Sequence, residues 1–345
     1  MTAADTAHPP TQTKSKTGIK VVIVGAGFGG LTAAIECHLQ GHDVVVLEQF
    51  PELKPLGDII SFGSNAGHIF HRWSDGYVSR KFRPLCIDVP YFDIRKYDGE
   101  KIIRQPTPPK LPDWPVFNGH RGELHMIVFY YAKDILGIPI RTGCKVTQYF
   151  EHEKGAGVVL ENGEKVTGDL VVGSDGVRSK ARELVLGYFD KPKSSGYAVY
   201  RAWFTTEKLL EDPMTRWMAE NGDTFTGWIG QDVHFLVAVL KGGSDISWVL
   251  THKVILISIG SSDVKDEADI DESWSFPGKV KDVLEVVKQW DPMCSAIISK
   301  TPESELVDWK LVYRDPLPTW VSKEARTALL GDSAHPFLPT SVRPS

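Results

Sequence analysis

Cysteine is scarce in this sequence, and the four present, Cys37, Cys86, Cys144 and Cys294, include no C-x-x-C pair. Such spacing suggests neither a zinc site nor a disulfide framework, and the four read as reduced thiols of a cytoplasmic protein. Long apolar runs are missing too. None reaches ten residues, whereas a helix needs about 18 to 20 to cross a bilayer, so no membrane span is encoded. Positive charge is not in surplus: 39 Lys and Arg stand against 44 Asp and Glu, for a net charge of -5. With no dense basic run, nothing is there to grip a phosphate backbone, which excludes nucleic acid as the expected partner. Residues 1–18 hold no arginine and no apolar stretch, which argues against a transit peptide and a secretion signal. This segment reads as a disordered tail. Internal repeats and low-complexity blocks are also absent.

What is present is the composition of a globular chain, 42% hydrophobic and 24% charged, in 345 residues. That length suffices for about two domains with a substantial core. Ile19 to Val24 is apolar except for Lys20 and rich in β-branched residues, which predicts a parallel strand buried on both faces. From Gly29 to Leu39, Leu31, Ala34, Ile35 and Leu39 recur at helical spacing, and Gly41 stands where a helix ends. Val44 to Leu47 predicts the next strand, completing a right-handed βαβ unit. Farther on, Glu151 to Asp169 reads as a hairpin turning at Asn162-Gly163 and leading into a strand at Leu170–Gly173. Strand-like stretches then dominate: Tyr197–Phe204, Thr224–Ile229, Val233–Leu240 and Ile246–Leu250, with no helix signal of comparable strength. Lys279 to Trp290 has the period of an amphipathic helix.

Three motifs carry chemistry. Gly25-x-Gly27-x-x-Gly30 sits between the first strand and the helix, with Glu48 closing the next strand. The first glycine permits a tight turn, the second lets backbone approach a pyrophosphate, and the third lets the helix pack on the strand. Free N–H groups and a partial positive charge at the helix N-terminus then face the phosphates, and Glu48 accepts from ribose hydroxyls. This segment alone does not separate FAD from NAD. The second motif, Gly173-Ser174-Asp175-Gly176-Val177-Arg178-Ser179-x-x-Arg182, follows an apolar strand; the third, Leu330-Gly331-Asp332-Ser333-Ala334-His335-Pro336, repeats the logic with Asp332. Both place an acid at a strand's carboxyl end, where doubly wound sheets bind ligands.

In this order the three stretches resemble the signatures of the single-component flavoprotein aromatic hydroxylases, the group of para-hydroxybenzoate and salicylate hydroxylases. The similarity runs from about Ile19 to Thr340, and the wording around each motif is closest to fungal salicylate-hydroxylase-like monooxygenases. The resemblance implies FAD as the bound cofactor, with Glu48 on its ribose, Arg121 near its phosphates, Asp332 on the ribityl chain and Asp175 serving both FAD and NAD(P)H. Gly57, in Pro55-Leu56-Gly57-Asp58, matches a turn beside the flavin ring, and Arg201 matches an active-site arginine. An isolated arginine of this kind is as readily an ion pair between elements.

The resemblance further implies that NAD(P)H reduces the flavin and that one atom of O2 is delivered to an electron-rich aromatic or phenolic ring. Activated oxygen is lost to water in an open site, so the pocket should be closed and apolar. Tyr200, Trp203, Phe204, Trp228 and Phe235 are candidates to line it, against the plainer role of core aromatics. His234 is a candidate to deprotonate a phenol, against that of a hydrogen-bonded structural histidine.

The fold expected is α/β: a doubly wound, Rossmann-like FAD domain split over 19–84, 118–183 and 319–345, with a mainly antiparallel substrate domain at 85–117 and 184–318. In the family, further helices follow the third motif; this chain stops at Ser345. Val254 to Lys265 has no recognised counterpart there. That stretch and Val342 to Ser345 both begin at valine, whose codons start with GT as most introns do, so two retained introns are expected. Rival functions are a flavin-dependent epoxidase or dearomatising oxygenase, and an inactive truncated nucleotide-binding protein.

Overall fold

The computed structural model describes residues 13–55, 57–107, 111–253 and 276–336. The segments at 254–265 and 342–345, residues 1–12 of the expected tail, and Leu56 lie outside them. Residues 14–17 run against the end of the first helix, Lys14 N–H donating to Leu39 O and Thr17 N–H to Gly41 O, each at 3.0 Å.

Val21 to Val24 are buried in succession, as a strand covered on both faces requires. This strand, β1 (Lys20–Val24), runs parallel to β2 (Asp43–Leu47), and α1 (Phe28–Leu39) crosses between them with Leu31, Ala34 and Ile35 turned to the core. Next come β3 (Ile59–Phe62), α2 (Ser64–Arg72), α3 (Tyr77–Phe82) and the hairpin of β4 (Tyr91–Lys96) and β5 (Lys101–Pro106). β6 (Phe117–His120) pairs antiparallel with β3, and α4 (Arg121–Tyr130) begins at its end. β7 (Ile140–Arg141) joins β2. The predicted turn at Asn162-Gly163 connects β9 (Gly155–Leu160) to β10 (Lys165–Gly168), and β8 (Val146–His152) completes that small antiparallel sheet. β11 (Leu170–Gly173) then pairs parallel with β1, and α5 (Ala181–Leu186) follows.

The remaining strands are β12 (Lys193–Thr205), β13 (Thr224–Gly230), β14 (Val233–Leu240), β15 (Asp245–Lys253), β16 (Phe276–Pro277), β17 (Val307–Tyr313) and β18 (Thr327–Leu329). Two sheets organise the molecule: a parallel one ordered β18-β11-β1-β2-β7, and an eight-stranded one ordered β16-β17-β12-β15-β14-β13-β4-β5. The second is antiparallel except where β13 meets β4. The α/β class and the pairing of a Rossmann-like sheet with a mainly antiparallel one therefore agree with the sequence.

Helices departed from expectation where they are short. Between β12 and β13 lie α6 (Glu207–Leu210) and α7 (Arg216–Glu220), which bury Leu209 and Met218. One turn of helix shows no period in a sequence. The predicted helix from Lys279 to Trp290 is α8 (Val280–Val286), and α9 (Pro292–Ser299) starts anew after it, capped by Asp291 with Pro292 in its first turn.

Helices α8 and α9 cover one face of the eight-stranded sheet. Phe204, Trp228 and Phe235 belong to that core and Tyr200 packs against it. Trp228 donates Nε1–H to Asp291 at 2.8 Å. Four of the five aromatic residues considered for a substrate pocket thus serve the helix-covered side. Alternation along β12 is the reason: Tyr200, Ala202 and Phe204 point one way, Arg201 and Trp203 the other.

Candidate functional site

The carboxyl ends of β1, β11 and β18 meet, and each carries one motif. At Gly25 φ is +98°, and a Cβ would stand 2.3 Å from the Ser174 carbonyl oxygen; at Gly30 it would stand 2.0 Å from that of Gly25. Packing within the chain itself requires both glycines. Gly27 differs, with an ordinary φ of -69° and nothing within 4 Å of a built Cβ. Its smallness relieves no clash in the protein; it leaves open space before the N-terminus of α1, which has no side-chain cap. Glu48 is 6% exposed and rigidly held, Oε2 accepting from Ala26 N–H at 2.8 Å and Oε1 from Phe50 N–H at 2.9 Å. Its remaining lone pairs suit a pair of ribose hydroxyls.

Asp175 is fixed through one oxygen. Oδ2 accepts from Tyr149 O–H (2.9 Å), Lys180 N–H (2.9 Å) and Ala181 N–H (3.3 Å), while Oδ1 is buried without a hydrogen-bond partner in the structure. An orphaned buried acceptor is what a missing donor, from cofactor or water, satisfies. Burial, then the Asp175 charge, raises the Tyr149 hydroxyl well above its ordinary value. Arg182 ties the second motif to the third: at 1% exposure it donates to Asp190 (3.0 and 2.5 Å), to Ser333 O (2.8 Å) and to Ala334 O (3.3 Å). Asp332 stands on the turn so held. Burial raises its carboxyl, opposed by Arg121 and then His335.

Arg121 opens α4. Its backbone N–H donates to Asp58 O at 2.8 Å, and Gly57, at φ +144°, lies so close that a Cβ would come 2.9 Å from the Arg121 Cβ. Burial lowers the Arg121 pKa; Asp58 and Asp332 oppose that, and Arg201 adds to it. Arg201 itself is 6% exposed on β12, with a terminal nitrogen 3.1 Å from Asp58 Oδ1 and the guanidinium 5.7 Å from the Trp309 ring centre. Two arginines and two carboxylates from four separate stretches thus form one cluster beside the fingerprint turn. His125, also on α4, donates Nε2–H to Ala26 O at 2.6 Å and locks that turn to the cluster.

Gly25, Gly27, Gly30, Glu48, Gly57, Arg121, Asp175, Asp332 and Arg201 therefore line one continuous region. His234 does not join it. On the face that carries Arg201, it sits two strands across and two residues along, through the pairs Arg201–Val249 and Val249–Leu236, or about 12 Å away at usual strand spacings. There it lines a cavity of about 290 Å³ with Tyr197, Ile229, Asp232, Thr251 and Leu311. Burial lowers its pKa.

Sequence reasoning missed Asp58, Glu123, His125 and Lys241. Asp58 adjoins the glycine that drew notice, and a carboxylate next to a turn glycine was the available signal. The His120-x-x-Glu123 spacing before an apolar stretch marks the start of α4, where His120 Nδ1 accepts from Glu123 N–H at 3.2 Å. Nothing in the sequence marks Lys241, which matters only because a turn brings it to Glu123.

A model of an FAD binding domain matches residues 20–55. The FAD-dependent monooxygenase nanF of Aspergillus nanangensis is 35% identical over 352 residues, covering 98% of this chain and 73% of that protein. Asperlicin C monooxygenase of Petromyces alliaceus is 36% identical over 346 residues, covering 98% and 70%. Among solved structures, CtdE in complex with FAD superposes with a TM-score of 0.80 at 34% identity, covering 94% of this chain and 79% of that one. The glycine that no contact within the chain demands, the orphaned Asp175 oxygen and the FAD held by that structural relative point to the same cofactor. The chain belongs to the single-component FAD-dependent aromatic hydroxylase family of monooxygenases.

Proposed function

We propose that the protein takes electrons from NAD(P)H and hydroxylates an aromatic or phenolic ring of a small secondary metabolite, with R–H, O2, NAD(P)H and a proton giving R–OH, water and NAD(P)+. The observation that carries this reading is the Arg201–Asp58 pair on the sheet face away from α8 and α9, next to Arg121 and Asp332. A cation held in place by a carboxylate at this position would meet a flat substrate lying on the sheet at the cofactor end of the parallel sheet.

Glu48, the N-terminus of α1, Asp175, Arg121 and Asp332 would hold FAD, which supplies the redox chemistry and oxygen activation when bound. The chain's own tasks are positional. Arg201 would donate hydrogen bonds to the substrate or to oxygen-derived charge, and a fixed donor in a dry site is worth far more than one in water. Trp203, Trp309 and Val249 on that face would exclude water from the reacting atoms. His234, some 12 Å off by strand spacing, would contact the far end of a long substrate in preference to the reacting ring. Four free thiols, three of them buried, suit a reducing compartment, and the cytoplasm is the proposed location.

The test is to load the purified chain with FAD and follow NADPH and NADH oxidation with phenols, indoles and peptide-derived alkaloids under 18O2. One 18O atom in a hydroxylated product supports the reading. An epoxide or a rearranged, dearomatised product would assign the chain to the corresponding oxygenase, and failure to retain FAD would assign it to inactive nucleotide-binding proteins.

A further inference from the structure

We propose that Lys241 and His120 are positioning residues: they form a latch between the eight-stranded sheet and α4 that sets the Gly57–Asp58 loop against Arg201. The consequence for catalysis rests on reading the Arg201–Asp58 cluster as the reaction site, but the latch itself stands on contacts within the chain.

β12 presents Arg201 and Trp203 on one face, two residues apart, and each reaches the same loop. Arg201 pairs with Asp58 at 3.1 Å. The Trp203 ring stands edge-on to the His120 ring, centroids 4.4 Å apart. Because His120 Nδ1 accepts from Glu123 N–H (3.2 Å), the imidazole proton is on Nε2, which donates to Gly57 O (3.0 Å). Gly57 and Asp58 are thus gripped from one strand, the first through His120 and the second directly.

Lys241 closes the circuit. It begins the turn from β14 to β15 with φ +55°, a conformation a side chain rarely adopts. Its ammonium donates to Glu123 Oε1 and to Asp245 Oδ2, each at 2.9 Å, and Asp245 Oδ2 also accepts from Trp203 Nε1–H at 3.0 Å. The path Lys241–Glu123–His120–Trp203–Asp245 returns to its start after crossing twice between the sheet and α4. The Lys241 and Asp245 side chains are 19% and 18% exposed, so bulk salt screens them little. One ammonium shared by acceptors on two different elements fixes the distance between those elements, which a pair within one element does not.

His120 faces Glu123 and Asp58, which favour its protonated form, and Lys241, which disfavours it; burial dominates and keeps the ring neutral. Protonation turns Nδ1 from acceptor to donor against the Glu123 N–H. The latch therefore carries a pH signature that a merely structural ion pair lacks.

The experiment is hydrogen exchange by mass spectrometry on the cofactor-free full chain: wild type, Lys241→Met, Lys241→Arg and Glu123→Gln. Lys241→Met should speed exchange across residues 57–62 at least tenfold while β1 keeps its wild-type rate, Glu123→Gln should do the same more weakly, and Lys241→Arg should restore most protection. In wild type, after correction for intrinsic rates, protection of 57–62 should hold from pH 7.5 to about 6.5, the ordinary histidine value, and fall only below it, because burial lowers the His120 pKa. Wild-type protection of that loop in both Lys241→Met and Glu123→Gln, or equal acceleration in β1, overturns the proposal. Lys241→Arg also serves if Lys241→Met fails to fold: arginine failing to protect the loop refutes the latch.

Discussion

Gly25 and Gly27 read as one motif in the sequence, yet the structure separates what each is for. A Gly25→Ala chain must relieve a 2.3 Å contact at positive φ, at a cost of about 3 kcal/mol or more in stability. Gly27→Ala meets nothing and should leave the unfolding free energy of the cofactor-free protein within about 0.5 kcal/mol. The same Gly27 change should weaken FAD binding at least tenfold, roughly 1.4 kcal/mol. Urea unfolding and a flavin fluorescence titration check the pair; similar stability losses in both would show that Gly27 is needed by the protein itself. Glu48→Gln keeps the shape but must turn an NH2 donor toward the Ala26 or Phe50 N–H, both of which the carboxylate accepts, so it should lower stability as well as FAD affinity. Residues like these were legible because the motif confines them to a few adjacent positions. Asp58, His125 and Lys241 were not, because each acts through a partner brought near by the fold: Arg201, Ala26 and Glu123 lie far off in sequence.

Elements were legible in proportion to their length and to the burial of their faces. β1, α1 and β2 have uninterrupted or strictly periodic apolar residues, whereas α6 and α7 are single turns whose only signature is one buried residue each. Sheet polarity was the harder matter. Sequence alternation says that Tyr200 and Arg201 oppose one another, but which face meets helices is decided by α8 and α9 far downstream. The turn after β18 is held by buried charge, with Asp190 between Arg182 (2.5 Å) and Arg314 (3.2 Å). Asp190→Asn leaves two guanidiniums, each under a tenth exposed, without their shared carboxylate, and should cost about 3–5 kcal/mol. Chemical denaturation measures this; a loss under about 1 kcal/mol would mean that water relaxes around the arginines.

Across the whole molecule, His38, His120, His125, His234 and His252 all have pKa values lowered chiefly by burial. A folded pKa below the unfolded value of about 6.5 means that the unfolded chain binds protons first as pH falls. Stability is therefore full above about pH 6.5 and declines below it, with all five acting in the same direction. Asp308 and Asp332, raised by burial, oppose the trend only at lower pH, as they take up protons. The urea midpoint of the cofactor-free protein should be lower at pH 5.5 than at pH 7.5; equal midpoints would show that these rings are solvated. One feature of the parallel sheet also bears on how the protein is made. β11 lies between β1 and β18, and the chain from α5 to β17 is synthesised before β18 exists. At ribosomal rates of about 5–20 residues per second, a nascent chain holds the open edge of β11 for on the order of ten seconds. During that interval an apolar strand edge is available to any other extended segment, so the yield of native protein in a cell should depend on chaperones that shield nascent chains.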